Sequence, residues 1–562
     1  MPTRIWKNLT HHDSSPQPAE KKVLETKQMD IRGEGSIRVC YRLNGFWQQE
    51  NPFENEGYML LDIPQAGFTD EPGSPMLARE GLFVVIPANA EYSSLSVENL
   101  CPEELPEEYD LLPVPRDVLE TEELIFDKNS DVYGVDEQYP QTPVKYIETT
   151  DILGVRCVHL AVCPFQYYPR SRKLTALRKI VVTVNYTIVK SAYDISAKAN
   201  LNMIDNTHYY SQLLGYQQDD AKNPSDSKPR MIIVTSEKLA YSLRILEGVK
   251  NFLYDVEVVY IEKIKDSYNG NDSVEKIHKF LLAEHAKRPL SYVILGGGID
   301  IIPSKMVDDN GDPNGDDLFP NDNYYCSNDP AKPIPLFALG RLPVSSVEEM
   351  NKVADYASYY NRFYNDKRKN AVFTSYNDPS HGYEQCKRDI KSTLTGDFSV
   401  TECYDGQCSK ETLIKEINNA VGFINYRGHG DYDRWQSGNG LSVKDIPTLD
   451  VKRNTPHVLS IACNNCSIHK SGSFGVEWIK QLKAISFLGA SAPSYTTVNH
   501  VFDKYLWEGI HQKKITKIGD IFVWATLELY RNKPDRHTIT NILEYLLLGD
   551  PSADYMDGKP DK

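Results

Sequence analysis

The sequence lacks both a long apolar run and an excess of positive charge. A transmembrane helix needs about 18 consecutive apolar residues, and no run of that length occurs in the chain. The formal net charge is −16, whereas binding to nucleic acid phosphates requires a basic surface. We therefore expect no membrane span and no nucleic acid partner.

The amino terminus lacks the apolar core of a secretory signal. Met1–Lys7 contains basic residues, but no apolar stretch of about seven residues or more follows it. As written, the sequence predicts a cytoplasmic protein, or a secreted one whose signal has been removed. The ten cysteines are scattered and suggest no small disulfide framework, which favours a reducing compartment.

Residue patterning divides the chain into regions, as expected for 562 residues, which exceed one ordinary core. The polar stretch 1–29 is typical of a disordered tail. Short β-like runs separated by turn residues cover 30–190 and predict a mainly β domain. Residues 191–228 lose this pattern and end in a polar segment, which indicates a linker. Residues 556–562 form a short tail.

From residue 229 onward, apolar strand-like runs alternate with amphipathic helical patterns. This alternation predicts parallel sheet covered by helices on both faces. The runs fall into two sets, over 229–345 and 346–555, and so predict two consecutive α/β subdomains, A and B. The predicted strands begin at Met231, Val256, Tyr292, Leu336, Ala371, Ser399, Gly422, His457 and Ala484.

Two predicted strands of the second set end abruptly in a reactive side chain. His429 lies between two glycines, and Cys463 follows an apolar run, 34 positions further along the chain. The carboxyl ends of neighbouring parallel strands meet at one sheet edge, where open α/β sheets bind ligands. A thiol beside an imidazole can become a thiolate near neutral pH. The sequence therefore predicts a Cys–His nucleophilic pair.

Each of these residues also has a structural interpretation. A lone cysteine at a strand end is more often a small buried hydrophobe than a nucleophile, and a lone histidine is usually structural. Cys466 is a rival nucleophile. The spacing Cys463-x-x-Cys466, with His469 nearby, also suggests zinc, although a zinc site would need further ligands.

Longer segments around these residues resemble the gingipain-type cysteine peptidases, family C25 of the caspase-like clan. The resemblance spans residues 229–555, and a weaker likeness to the family's propeptide covers much of 30–190. It implies an α/β caspase-haemoglobinase-like catalytic domain, preceded by a mainly β prodomain. The segments that carry it are Ala338–Val344, Cys403–Asp405, Asn425–Gly430, Ala462–Asn464 and Tyr545–Pro551.

The resemblance implies roles for individual residues. Cys463 would attack the peptide carbonyl to form a thioester, and His429 would stabilise the thiolate and protonate the leaving amine. Backbone N–H groups of Gly430 and Cys463 would hold the oxyanion. The acid that orients the imidazole would fall at Asp378, although Asn377-Asp378-Pro is equally typical of a turn.

The same resemblance implies where substrate specificity lies. Arg427, Ile461, Ser494 and Tyr495 would line the S1 pocket. A basic P1 residue needs a pocket acid, for which Glu384 is nearest. Arg427 would repel a basic P1 residue or attract an acidic one, unless it pairs with Glu384 or faces solvent. We expect a basic P1 residue, with an acidic P1 residue as the alternative.

A loop from residue 308 to residue 317 concentrates carboxylates among glycines. Oxygen ligands at short spacing suit Ca²⁺, and the resemblance implies a calcium-stabilised enzyme. A solvated acidic loop has the same composition, and the loop lacks the closing glutamate of an EF-hand. No cofactor is expected for the chemistry, and the expected ligands of a structural calcium ion are Asp308, Asp309, Asp312, Asp316 and Asp317.

Together these features predict a cysteine endopeptidase that cuts protein or peptide substrates and is made as a zymogen, inhibited by its own prodomain. Activation would cut within 191–228, although an ordinary interdomain linker has the same composition. Three alternatives stay open. They are a transpeptidase or sortase-like enzyme with the same Cys–His pair, a caspase-like regulatory protease with acidic P1, and a non-catalytic pseudoprotease module.

Overall fold

The structure is a computed structural model, and it describes most of the chain. The described residues are 4–9, 16–27, 33–50, 57–120, 122–188, 207–216, 228–315, 317–332, 334–360, 366–394, 396, 398–419, 421–451 and 455–556. Asp316, most of the predicted 191–228 linker and nearly all of the predicted 556–562 tail lie outside these ranges.

The N-terminal domain, residues 4–188, consists almost entirely of strands. They form antiparallel sheets in the orders β1-β4-β5, β7-β10-β9 (with β6 on β7) and β11-β12-β3-β2 (with β8 on β12). The elements are β1 (Arg4–Asn8), β2 (Glu20–Lys27), β3 (Glu34–Arg42), β4 (Gly45–Glu50), β5 (Met59–Asp62), β6 (Gly67–Phe68), β7 (Ala78–Val85), β8 (Ala90–Glu104), α1 (Ser130–Tyr133), β9 (Val144–Ile152), β10 (Val155–Val162), β11 (Phe165–Tyr168) and β12 (Lys173–Ile188). Alternate apolar side chains of the strands fill one core, as the period of two predicts.

The prediction of a disordered tail over 1–29 was wrong for two segments. Strand β1 pairs with β4, and Trp6 packs edge-on against Trp47 at 5.4 Å between ring centroids. Strand β2 pairs with β3. Both are polar strands, and backbone pairing with an existing sheet stabilises them without the apolar pattern on which a sequence-based prediction depends.

Part of the predicted linker is also structured. Residues 207–216 contain α2 (Thr207–Tyr210) and β13 (Leu213–Leu214), which adds a parallel strand to β7. The buried Tyr209 hydroxyl donates to Asp520 Oδ1 at 2.9 Å in the C-terminal domain. The two buried tyrosines of α2 therefore anchor this segment between the domains, so 191–228 is not a plain linker.

The C-terminal domain, residues 228–556, is built on one ten-stranded sheet. Its strand order is β15-β14-β16-β19-β27-β26-β25-β22-β20-β21, as defined by the following ranges. The strands are β14 (Arg230–Thr235), β15 (Asp255–Tyr260), β16 (Leu290–Gly296), β19 (Ala338–Leu342), β20 (Asn370–Ser375), β21 (Ser399–Glu402), β22 (Phe423–Arg427), β25 (His457–Ile461), β26 (Ser486–Ala490) and β27 (Tyr545–Gly549), with small ribbons at β17 (Lys305–Val307), β18 (Phe319–Asn321), β23 (Gly430–Asp431) and β24 (Arg434–Trp435).

The two predicted subdomains are the two halves of this sheet. Strands within each half are parallel, but β26 and β27 pair antiparallel, so the halves run in opposite directions. The last strand, β27, pairs in parallel with β19 and so completes the first half rather than the second. The carboxyl ends of β20, β22 and β25 therefore form an edge of their own.

Helices cover both faces of the sheet, as the βα alternation predicts. Their bounds are α3 (Glu237–Ala240), α4 (Arg244–Lys250), α5 (Ile261–Ser267), α6 (Ser273–Lys287), α7 (Val347–Tyr360), α8 (Tyr383–Thr393), α9 (Lys410–Asn418), α10 (Phe474–Lys480), α11 (Thr496–His511), α12 (Ile518–Asn532) and α13 (Arg536–Glu544). None of the helices in the described ranges has the length and apolarity that a membrane span requires.

Cysteine pairing departs from the expectation of unpaired thiols in one place. Cys403 and Cys408, just beyond strand β21, form a disulfide with their Cα atoms 5.1 Å apart. The remaining cysteines of the described residues are free, and most of them are buried. Cys403 and Cys408 are only five residues apart, so a short loop brings their thiols together. The cysteines as a whole are scattered along the chain, and for this reason the sequence suggested no disulfide framework.

The two domains meet where strand β7 crosses the end of helix α12. The Gly81 N–H donates to Asn532 Oδ1 at 2.9 Å, and His159 Nε2 donates to the Arg531 carbonyl at 2.8 Å. A Cβ at Gly81 would lie 1.6 Å from that same carbonyl oxygen. The contact is therefore backbone against backbone, and only glycine permits it.

We predict that Gly81→Ala destabilises the full chain, because a backbone clash cannot be relieved by a side-chain rotation. The expected loss is about 2–3 kcal/mol, the upper part of the range for overpacking. The measurement is chemical denaturation followed by fluorescence. The matched control is Gly248→Ala in helix α4, where a Cβ meets nothing within 4 Å. Equal stability of Gly81→Ala and wild type would contradict the prediction.

Candidate active site

The two reactive side chains extend from neighbouring strand ends, as expected. Strands β22 and β25 pair in parallel with Arg427 opposite Ile461. His429 and Cys463 each follow two residues beyond this last pair. A Cβ at Gly430 would lie 2.5 Å from the carbonyl oxygen of Cys463, so the glycine lets the two chains approach each other closely.

Cys463 is buried, with 4% of its surface exposed. The Ser494 N–H donates to its sulfur at 3.2 Å, and the Ser494 hydroxyl lies 3.5 Å away. The thiol itself points at Glu120 Oε2, 3.6 Å distant. Burial, and next the negative charge of Glu120, raise the pKa of the Cys463 thiol far above its ordinary value. In this state the cysteine is a neutral thiol rather than a nucleophilic thiolate.

His429 is half-buried among aromatic rings. Its ring packs edge-on against Tyr376 at 4.9 Å and Tyr383 at 5.4 Å between centroids. Burial lowers the pKa of the imidazole, which favours its neutral form. No hydrogen bond joins His429 to Cys463 among the described residues. Instead both face Glu120, which contacts the thiol and lines the cavity in front of the imidazole.

Asp378 lies next to His429 and also forms a turn. Its Oδ2 is 3.6 Å from His429 Nε2 and 2.8 Å from His381 Nδ1. Its Oδ1 accepts hydrogen bonds from the N–H and hydroxyl of Ser380. Burial acts to raise the pKa of Asp378, but the bonds from Ser380 and His381 lower it below its ordinary value. Asp378 therefore satisfies both interpretations of the sequence, as a turn residue and as a carboxylate beside the imidazole.

His381 is a site residue that sequence reasoning missed. Its Nε2 lies 2.8 Å from the carbonyl oxygen of Glu122, in the N-terminal domain. Together with Asp378 and His429 it offers three ligand atoms within 4.8 Å of one another. A divalent transition-metal ion bound there would occupy the imidazole of His429. The only sequence signal was its position three residues after Asp378.

Arg427 is fully buried and does not face solvent. Its guanidinium donates to the carbonyl oxygens of Ile461 at 3.2 Å and Thr496 at 3.0 Å. It also forms an ion pair with Glu120, whose side chain is equally buried. Arg427 therefore shares Glu120 with Cys463, and its charge is neutralised by this residue of the other domain.

Glu384 does not take the expected place in the pocket. Its carboxylate pairs with Arg388 at 2.7 Å, one turn along helix α8, and accepts a hydrogen bond from Gln407 at 2.9 Å. Opposite charges four residues apart on a helix are neighbours. Glu384 therefore forms its ion pair with Arg388, and Arg427 forms its ion pair with Glu120. The expected acid for a basic P1 residue is thus engaged elsewhere.

The other predicted pocket residues differ in what they contact. Ser494 contacts the sulfur of Cys463 directly, and Ile461 contributes its carbonyl oxygen to Arg427. The Tyr495 ring packs on His537 with centroids 4.4 Å apart rather than on Arg427.

A segment of the N-terminal domain covers this edge of the sheet. We call residues 117–120 and 122 the covering segment. The Glu120 N–H donates to the Ser494 carbonyl at 3.0 Å, and the Thr496 N–H donates to the Val118 carbonyl at 3.1 Å. The segment therefore adds an antiparallel bridge along 494–496, with Leu119 opposite Tyr495.

Asp117 fastens one end of the covering segment. Its Oδ2 accepts from Lys533 at 2.8 Å and from His537 at 3.0 Å, and its Oδ1 accepts from Thr497. Burial alone would raise the pKa of Asp117, but these bonds hold it well below the ordinary range. The carboxylate is therefore charged at neutral pH and links the two domains.

Cys466 faces the opposite direction from Cys463. It is completely buried, its sulfur contacts the Leu546 carbonyl at 3.9 Å, and burial raises the pKa of its thiol. In the described residues, no convergent set of metal ligands includes a cysteine. Its surroundings thus match a core cysteine rather than a rival nucleophile or zinc ligand.

The acidic loop directs its carboxylates to its own backbone. Asp308 Oδ1 accepts the N–H groups of Asn310 and Asp312, each at 2.8 Å, and Asp309 pairs with Arg536 at 2.9 Å. Among the described residues, no set of three convergent ligands comes from this loop. The carboxylates as placed, including Asp317, do not fit a calcium cage, and calcium binding stays a prediction.

Comparison with known proteins places the site in a family. The sequence profile of Peptidase family C25 matches residues 224–556, and the profile of the C25 propeptide matches residues 38–223. The chain belongs to peptidase family C25. It is therefore a cysteine peptidase with a propeptide region, and the expected caspase-like fold with its mainly β prodomain is confirmed.

Two solved structures share the fold. The Arg-specific cysteine proteinase gingipain R has 18% sequence identity and a TM-score of 0.51, covering 59% of this chain and 79% of its own. The complex of the pro- and mature domains of RgpB from Porphyromonas gingivalis has 19% identity and a TM-score of 0.50, covering 58% and 79%. No curated protein matches the chain in sequence. At such identities the likeness concerns the fold alone.

We predict that Glu120→Gln destabilises the full-length C25 chain. Glutamine keeps the shape of the side chain but leaves the buried guanidinium of Arg427 without a counter-charge. Breaking a buried ion pair in this way costs about 3–5 kcal/mol, and chemical denaturation measures the loss. The matched control is Glu123→Gln, an exposed acid near the covering segment, which should change stability by less than about 0.5 kcal/mol. Equal effects of the two substitutions would contradict the prediction.

Proposed function

We propose that this C25 peptidase is a cysteine endopeptidase with Cys463 as the nucleophile and His429 as the acid–base residue. The observation that carries the proposal is that both side chains lie against Glu120 at the carboxyl edge of β22 and β25. The Cys463 thiol points at the Glu120 carboxylate, and His429 lines one cavity together with Glu120. A cysteine that is fixed by Ser494, at the strand end next to the one that carries an imidazole, has the position that a nucleophile requires.

The reaction would proceed by acyl transfer. Once the Glu120 carboxylate has left, the neutral imidazole of His429 accepts the proton of the Cys463 thiol. The resulting thiolate attacks the substrate carbonyl carbon, and a tetrahedral intermediate forms. The N–H groups of Gly430 and Cys463 are the proposed oxyanion donors. His429 gives a proton to the leaving amine, and the thioester is then hydrolysed by water that the neutral imidazole deprotonates.

We further propose that the chain is a zymogen. Three features of the covering segment support this. It follows the substrate-side backbone at 494–496, its Glu120 carboxylate lies against the sulfur, and its charge disfavours the thiolate. The contact between Glu120 and Cys463 thus has two effects. It blocks substrate access to the sulfur, and it disfavours the thiolate form of Cys463. Cleavage within 191–228, most of which lies outside the described residues, would be the activating step.

The decisive experiment is mass spectrometry of the full-length protein after incubation alone and with denatured casein. Wild type is compared with Cys463→Ala, His429→Ala and Cys466→Ala, and with Cys101→Ser at an exposed cysteine as control. Cleavage should vanish with Cys463→Ala and fall by about 10²–10⁴ with His429→Ala. It should persist in the other two variants. Loss of cleavage with Cys466→Ala but not with Cys463→Ala would overturn the proposal.

Adding an amine to the same samples distinguishes the transpeptidase alternative from the endopeptidase proposal. A hydrolase gives new carboxyl termini, whereas an acyl transferase gives products whose mass includes the amine. We expect carboxyl termini to predominate. A majority of amine-linked products would replace the endopeptidase proposal by the transpeptidase one.

We expect Asp378→Asn to lower kcat about tenfold or more, with little change in KM, because the negative charge beside the imidazole is lost. Asparagine is also a good capping residue, so the turn at Asp378–Ser380 should be kept. Steady-state kinetics on the activated enzyme measures the effect, and thermal unfolding reports whether the turn is intact. An unchanged kcat would show that Asp378 acts only in the turn.

A further inference from the structure

We propose that the S1 pocket of this enzyme binds an acidic P1 side chain, with glutamate preferred over aspartate, and that Arg427 selects it. The proposal rests on the proposed function, since it names the substrate class of the same site. It replaces the expectation of a basic P1 residue, which depended on Glu384.

The Glu120 side chain shows what the pocket accepts. Its Oε1 accepts from the Arg427 guanidinium and from Asn499 Nδ2 at 2.6 Å, and its Oε2 meets the thiol of Cys463 at 3.6 Å. The carboxylate is completely buried. Two donors therefore bind one carboxylate oxygen. An amide oxygen could accept the same two bonds but would leave the charge of Arg427 unbalanced, and an amine has no acceptor.

Apart from Glu120, the groups that hold Arg427 in place belong to the catalytic domain. Besides the carbonyls of Ile461 and Thr496, its Nε donates to His500 Nδ1 at 3.2 Å, and its guanidinium lies 4.5 Å from the Tyr383 ring centroid. None of these contacts involves the prodomain. The positive charge therefore stays in the pocket when the covering segment departs.

Asn499 is oriented by a second pair of contacts. Its Oδ1 accepts from the Tyr545 hydroxyl at 2.8 Å and from Asn541 Nδ2 at 3.0 Å. These two donors fix the amide so that its NH₂ group faces the carboxylate and the Ser494 hydroxyl. Asn499 belongs to the first turn of helix α11, whose N-terminal N–H groups also favour a negative charge.

The remaining acid near the pocket does not neutralise Arg427. Glu544 is fully buried, and within the described residues neither of its carboxylate oxygens has a hydrogen-bond partner. Burial is the largest cause that raises the pKa of Glu544 well above its ordinary value, and it holds Glu544 as the neutral acid without Glu120. A guanidinium with no counter-charge is costly in a buried pocket. A P1 carboxylate restores the pair, whereas a P1 lysine or arginine adds a second positive charge.

Chain length distinguishes glutamate from aspartate. The backbone N–H of Glu120 is fixed on the Ser494 carbonyl, and its side chain spans from there to both donors. A P1 residue bound along the same backbone needs the same reach. Aspartate is one methylene shorter and cannot contact Arg427 and Asn499 together without displacing the backbone.

The test uses the full-length protein after cleavage within 191–228 and release of the prodomain, so that neither the Glu120 carboxylate nor the backbone of the covering segment occupies the pocket. Peptidyl acyloxymethyl ketones that differ only at P1 (Glu, Asp, Gln, Lys) are compared for the rate at which they label Cys463, measured by mass spectrometry. Glutamate and glutamine have the same shape, so their ratio isolates the charge. We expect the Glu probe to label at least about 30-fold faster than the Gln probe. This ratio corresponds to the lower end of the range for the cost of leaving a buried charge unpaired. The Glu probe should also label about tenfold faster than the Asp probe.

Two controls separate the possible failures. Iodoacetamide labels Cys463 regardless of P1, and its rate corrects for access to the thiol in every variant. Arg427→Gln should reduce the Glu-to-Gln ratio to about threefold or less. Glu384→Gln should leave the ratio unchanged, because the Glu384 carboxylate pairs with Arg388 and not with Arg427. If Arg427→Gln does not fold, the Glu-to-Gln labelling ratio of the enzyme that retains Arg427 still tests whether the pocket prefers a negative charge.

Equal labelling by Glu and Gln, or faster labelling by Lys, would overturn the acidic pocket while leaving the peptidase proposal intact. The casein digest reports on the peptidase proposal separately, because its readout is dependence on Cys463 and not on P1. Cleavage after glutamate in that digest would support both. If no digest shows dependence on Cys463, the proposed function fails and the P1 inference fails with it.

Discussion

The buried ion pair between Glu120 and Arg427 is the interaction on which the state of this molecule depends. It joins two residues 307 positions apart, it closes the space beside Cys463, and the Glu120 charge adds to the burial that keeps the thiol neutral. An ion pair in a buried site persists only when both partners and their hydrogen bonds are in place. Under the zymogen proposal, release of the prodomain changes the charge of the pocket, the access to the sulfur and the pKa of the Cys463 thiol in one step.

The sheet explains why the site lies where it does. Because the two halves run in opposite directions, the carboxyl ends of β22 and β25 form an edge that the first half does not share. Helix α11 begins at this edge and supplies Asn499 and His500, while the chain before it supplies Ser494. The reactive groups thus sit on rigid strand ends and a helix start, and the prodomain adds one extended segment across them.

Much of this architecture could be predicted from local patterns. His429 and Cys463 each end a buried apolar run, and parallel strands bring such ends together. Glu120 could not be predicted, because it lies in a stretch of several glutamates and its partner is distant in sequence. Glu384 was placed wrongly since its pairing with Arg388 is a helix contact that the family pattern does not encode. Strands β1 and β2 were missed because their stability comes from pairing with a sheet rather than from their own apolar residues.

The most direct test of the account is the pH dependence of Cys463 alkylation by iodoacetamide, followed by mass spectrometry before and after the prodomain has been released. The account predicts that the latent chain reacts only at strongly alkaline pH, because burial and Glu120 raise the pKa of the thiol. After release the midpoint should move down towards neutral pH, where the imidazole of His429 can stabilise the thiolate. The same alkaline profile in both states would contradict the claim that the covering segment is what keeps Cys463 inactive.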